Sequence, residues 1–114
     1  MRNLYICNAF SLSMLDRESQ LSAPRTPSPV DTPERLVHLL NHVSPDAKIV
    51  SVVGHVDTAN LFSKILNYNV KPNRISITLE HPDDHALVGQ YIGPRLPEGA
   101  TTLPEGARID WWLI

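Results

Sequence analysis

The histidines and the glutamates Glu98 and Glu105 are the first candidates for chemistry in this 114-residue chain, and their spacing sorts them into distinct groups. His38 and His42 stand four residues apart, the interval at which two imidazoles on one helix face can share a zinc ion. No glutamate adjoins His38 and no third ligand is evident, so an exposed helix face is the reading adopted and no metal is expected. His81 and His85 flank the polar run "HPDDH" and read as solvent-facing. His55 differs in its setting: it follows an apolar run and a glycine, and it precedes a helical pattern. With an ordinary pKa of about 6.5, a histidine there can give or take a proton near neutral pH. The competing reading is a histidine that hydrogen-bonds to its own loop.

The stretch "RLPEGATTLPEGARIDWW" raises a separate question. It writes LPEGA twice, at residues 96–100 and 103–107, so Glu98 and Glu105 are either a carboxylate pair or parts of two turns. Arg95, just before the first copy, has the planar fork that clamps phosphate, although a lone loop arginine is as easily solvated. No phosphate-cradling glycine loop and no Ser/His/Asp order accompanies these residues.

The elements that must position them follow from periodicity. "NLYICNAF" (residues 3–10) reads as a first strand, and "SLSML" as a turn or short helical piece. Residues 19–33 hold Pro24, Pro27, Pro29 and Pro33 among serines and threonines, which predicts an exposed connector over about 19–31 without regular structure. Thr32 as N-cap, Pro33 at the first helical position and Glu34 then start a helix whose stripe is Leu36, Leu39, Leu40 and Val43. "KIVSVVGH" reads as a central strand buried on both faces. "VDTANLFSKILN" restarts helical spacing, capped by Asp57 or Thr58. "NRISITLE" alternates and, with "ALVGQYIG", predicts a hairpin over residues 74–93. "RIDWWLI" is the last strand. Two helices among about five strands make an α/β single domain with a mixed, partly antiparallel sheet and flanking helices.

Composition bounds the function. A formal charge of −2 speaks against a general grip on duplex DNA, which needs a basic face, but leaves room for a small anion in one pocket. The single cysteine, Cys7, lies in an apolar run and reads as a buried thiol. No run approaches the roughly 20 apolar residues of a membrane span and no signal-peptide core is evident, so an intracellular, cytoplasmic protein is expected. His55 sits where open α/β sheets bind ligands, between a strand end and a helix N-terminus that favours anions.

Three segments, "NAFSLSML", "VVGHVDTANLFSKIL" and "QYIGPRLPEGATTLPEGA", resemble in the same order the type III anti-CRISPR ring nucleases and their bacterial relatives. Those are small viral proteins that degrade cyclic tetra-adenylate, the messenger of type III CRISPR defence. The resemblance covers most of the chain outside the proline-rich connector. It implies a homodimer holding one cyclic tetra-adenylate across its two-fold axis, and cleavage to linear di-adenylate without metal or other cofactor. By motif, His55 would be the general acid, Arg95 would stabilise charge on the phosphate, and Glu98 would stand at the same site. Asn8 and Ser11 would contact the ligand from the strand end, and Gly54, Asp57 and Thr58 would meet phosphate at the helix start. Gln90 and Tyr91 precede Arg95 within reach of adenine, with Gln90 assigned to binding. One departure is specific to this chain. Where some members carry a hydroxyl residue two after the histidine, it has Asp57, whose carboxylate repels phosphate unless it points away. The resemblance also divides the repeat: Glu98 belongs to the site, and Glu105 to a turn that leads into the last strand.

Overall fold

The computed structural model describes residues 2–42 and 45–114. Among them are strands β1 (Asn3–Cys7), β2 (Ser28–Val30), β3 (Lys48–Val52), β4 (Asp84–Ile92) and β5 (Arg108–Leu113). Three helices, α1 (Arg17–Ser22), α2 (Pro33–Asn41) and α3 (Val56–Leu66), and a 3-10 turn at Leu12–Met14 complete the elements. The strands form one sheet in the order β2-β5-β4-β1-β3. β1 runs parallel to both β3 and β4, whereas β5 is antiparallel to β4 and to β2. The expected α/β domain with a mixed five-stranded sheet is therefore present.

Side-chain alternation gives the sheet two unlike faces. Leu4, Ile6, Leu87 and Trp111 point to one face and pack with Leu36 and Leu40 of α2 and Ala59, Phe62 and Leu66 of α3. Burying a side chain of Phe62's size contributes about 1.5–3 kcal/mol. Its ring lies 4.8 Å from that of Trp111, and both press on the backbone of Gly89. A Cβ there would stand 2.7 Å from each ring, so only glycine lets them approach. Helices α2 and α3 both pack on that first face, and the opposite one is covered differently. Cys7, Ala86 and Val88 are covered there by Leu79, with Tyr5, Phe10, Ile77, Trp112 and Ile114 only partly buried.

Local chemistry explains the helix starts. Thr32 accepts a hydrogen bond from the Arg35 N–H at 3.3 Å, with Pro33 in the first turn, as expected. Leu36, Leu39 and Leu40 form the predicted stripe, while Val43 lies outside the described residues. The N-cap of α3 stands two or three residues earlier than expected. His55, in extended conformation, is its N-cap position, and neither Asp57 nor Thr58 serves. The reason is chain direction: β3 turns straight into the helix through Val53 and Gly54.

Four further expectations are corrected. β3 lies at the sheet edge, half-buried, rather than at its centre; a β-branched run looks the same in either place. Residues 74–81 form no strand and no hairpin. Asn73 donates from its backbone to the Val53 carbonyl and from its side chain to the Ser51 carbonyl. The chain thus runs beside β3, then crosses the opposite face, where Leu79 bridges Leu15. The connector is not irregular throughout: Asp16 caps α1 by accepting from Ser19 N–H, and Ser28–Val30 pairs with β5. Pro29, lacking an N–H, fits there because β2 is an edge strand. The Arg25 guanidinium donates to the carbonyls of His81 and Asp84, tying the connector to the start of β4. His85 is a half-buried residue of β4 rather than part of a turn.

Candidate functional site

Because β1, β3 and β4 are parallel, their C-terminal ends meet at one edge of the sheet. Three chain segments leave from that edge: residues 8–11, Gly54-His55, and the loop 93–107 that joins β4 to β5. Unpaired backbone N–H groups at the start of α3 add partial positive charge there. Only from Ala59 onward is the N–H spent within the helix, on the His55 carbonyl at 2.9 Å.

A cleft of about 750 Å³ opens at this edge, lined by His55, Asp57, Thr58, Arg95, Leu96, Pro97 and Glu98. Five residues singled out from the sequence therefore line one surface, supplied by α3 and the 93–107 loop. The His55 side chain is exposed and makes no capping hydrogen bond. Arg95 and Glu98 are exposed and belong to none of the ion pairs among the described residues. An imidazole, a guanidinium and a carboxylate are thus all open to a ligand. Asp57 is occupied: its Oδ1 accepts the Gly99 N–H at 3.0 Å.

The remaining sequence candidates fall elsewhere. Asn8 and Gln90 line a neighbouring cavity of about 390 Å³ with Phe10, Tyr91 and Trp112. The two sites are joined through Tyr91, whose hydroxyl donates to the Pro94 carbonyl next to Arg95. Ser11 lines neither; it precedes the 3-10 turn, and its hydroxyl is 2.8 Å from that of Ser13. Gly54 contributes its carbonyl, which accepts from Arg74 Nε at 3.0 Å.

Arg74 was not among the sequence candidates. It is exposed and adds a second cation beside the Gly54-His55 turn. Its place in an alternating run hid it, since the run reads as a strand. His38 and His42 stack with centroids 3.9 Å apart, and His42 Nδ1 donates to the His38 carbonyl at 2.9 Å. No group of three or more potential metal ligands occurs among the described residues. Burial pushes the Cys7 thiol up to about 12, so it stays protonated at neutral pH and is no nucleophile. No helix among the described residues is long and apolar enough to cross a membrane.

Comparison with known proteins bears on the whole fold. The solved structure of B116 of Sulfolobus turreted icosahedral virus (STIV) is similar at a TM-score of 0.71 and 24% identity, covering 97% of each chain. An uncharacterized protein, ORF116, of Acidianus filamentous virus 1 is 36% identical over 52 residues. That match covers 46% of this chain and 43% of the relative's length. The STIV B116-like family profile matches residues 4–108, a span that holds β2 to β4, the helices, the cleft and both LPEGA turns. The chain belongs to the STIV B116-like family, whose relatives named above are viral proteins.

Proposed function

We propose that this protein is a metal-independent ring nuclease that binds cyclic tetra-adenylate across a homodimer and cleaves it to linear di-adenylate. The observation that carries the reading is the cleft itself. Residues far apart in sequence, His55 on one side and Arg95 with Glu98 on the other, line one surface at the anion-favouring end of α3. They are the positions that the resemblance to the anti-CRISPR ring nucleases assigns to catalysis.

In that chemistry a ribose 2′-oxygen attacks the adjacent phosphorus, closing a 2′,3′-cyclic phosphate as the bond to the 5′-oxygen breaks. The leaving 5′-oxygen takes its proton from His55 in its imidazolium form, a contribution of about 10²–10⁴-fold for general acids. Arg95 faces the charge that grows on the non-bridging oxygens, with Arg74 as a second cation. Glu98, the carboxylate in the same cleft, receives the 2′-OH proton. Backbone N–H groups at Asp57 and Thr58 meet phosphate. The neighbouring cavity suits an adenine base: Phe10 and Trp112 offer ring faces, and Asn8 and Gln90 offer amides that match its edge. Two-fold symmetry suits a ring of four identical nucleotides. Leu12, Val56, Ile75 and Leu103, each at least 40% exposed, lie in the segments around this end and support a second copy there.

A second reading is a non-catalytic cyclic-oligoadenylate-binding protein, a sponge or sensor. It is favoured by one observation: the His55 side chain is exposed and makes no capping hydrogen bond. Incubating purified protein with rings of four and six adenylates, with chelator present, and separating the products separates the two. Di-adenylate from the four-membered ring supports the nuclease. Tight binding in calorimetry with the ring recovered intact supports the sponge.

A further inference from the structure

We propose that Asp57 is a positioning residue, a latch that fastens the loop 93–107 to the start of α3 and so holds Arg95 and Glu98 opposite His55. Its functional half rests on the ring-nuclease reading; the latch itself does not. Residues 95–103 are tied to the rest of the chain, among the described residues, by one hydrogen bond: the Gly99 N–H donating to Asp57 Oδ1 at 3.0 Å. The bond from Ala100 N–H to the Pro97 carbonyl is internal to the turn. Nothing lies within 4 Å of where a Cβ on Gly99 would stand, so the turn tip is not wedged in place there by packing. The acceptor is well placed for its task. Asp57 lies in the first turn of an 11-residue helix, where the macrodipole favours a carboxylate, and an ionised acceptor shortens and strengthens the bond.

The latch also resolves an electrostatic conflict. A carboxylate two residues from His55 repels a phosphate if it faces it openly. Here one carboxylate oxygen faces the Gly99 N–H, and the helix N-terminus offsets part of its charge. The residue type specifies the geometry: a carboxylate accepts from the loop, whereas a hydroxyl could equally donate to the ligand.

Two variants and two readouts test this. Amide hydrogen exchange on the unliganded protein should accelerate about tenfold at Gly99 in Asp57→Ala, through easier local opening. It should return near wild type in Asp57→Asn, whose amide oxygen still accepts. With cyclic tetra-adenylate as substrate, Asp57→Ala should lower kcat about tenfold with little change in KM, the signature of misplaced groups rather than lost binding. Asp57→Asn should recover most of that loss. Unchanged exchange in Asp57→Ala overturns the latch, and so does an Asn variant as impaired as the Ala variant. Faster exchange with unaltered kcat overturns the positioning role. If the exchange pattern holds but wild-type protein leaves the ring intact, the latch stands and the ring-nuclease reading falls.

Discussion

The two LPEGA copies are the same turn in different surroundings. In each, the alanine N–H donates to the proline carbonyl at 3.1 Å, from Ala100 to Pro97 and from Ala107 to Pro104. The glycines take positive φ, 75° at Gly99 and 80° at Gly106, as the third residue of such a turn requires. Beyond that the copies part. Glu98 lines the cleft with His55 and Arg95, and Gly99 is bound by Asp57. Glu105 is exposed and lines no described cavity, and its turn delivers the chain to β5, where Arg108 pairs with Asp110 at 3.2 Å. A five-residue word therefore encodes a shape, and the neighbours that the fold supplies decide whether the shape has a function.

That contrast can be broken in three ways. Removing the group opposite the first copy has the largest effect: His55→Ala should slow ring cleavage by about 10²–10⁴-fold, the general-acid contribution. Next, the glutamates should separate. Glu98→Ala should slow cleavage about 10–100-fold if it handles the 2′-OH proton. Glu105→Ala should stay within about twofold, as surface substitutions away from special features usually do. Equal effects in the two copies would dissolve the distinction. The smallest effect is on stability. Gly99→Ala and Gly106→Ala should each cost about 1–2 kcal/mol for a left-handed residue, read from denaturant midpoints. Matching stability losses with slower cleavage in Gly99→Ala alone would sharpen the comparison most.

Where a signal was local, the sequence was legible. Thr32 and Pro33 announce α2 through capping chemistry, the apolar spacing of Leu61 and Leu66 announces α3, and the aromatic run at 111–112 announces β5. Where pairing was remote, it was not. Ser28–Val30 is a strand only because Trp111 and Leu113 lie beside it, and no composition of prolines and serines carries that information. Ile75, Ile77 and Leu79 alternate like a strand, yet Ile77 and Leu79 cover a sheet face while Ile75 is 42% exposed. The site divides in the same way. His55 stood out from its place between strand and helix, and Arg95 from its place before the repeat. Arg74 became visible only when the chain folded it against Gly54. Asp57 was legible as a residue close to the helix start, but its acceptor role depends on Gly99, far along the chain.

The proposed function rests on His55 acting chemically at a site that holds a ring of adenylates. Single-turnover cleavage of cyclic tetra-adenylate, with chelator present and binding measured in parallel, tests it on wild type and His55→Ala. Both proteins should bind the ring, wild type should convert it to di-adenylate, and the variant should hold it largely uncut. A wild-type cleavage rate in His55→Ala, or an intact ring after long incubation with wild type, would contradict the proposed function.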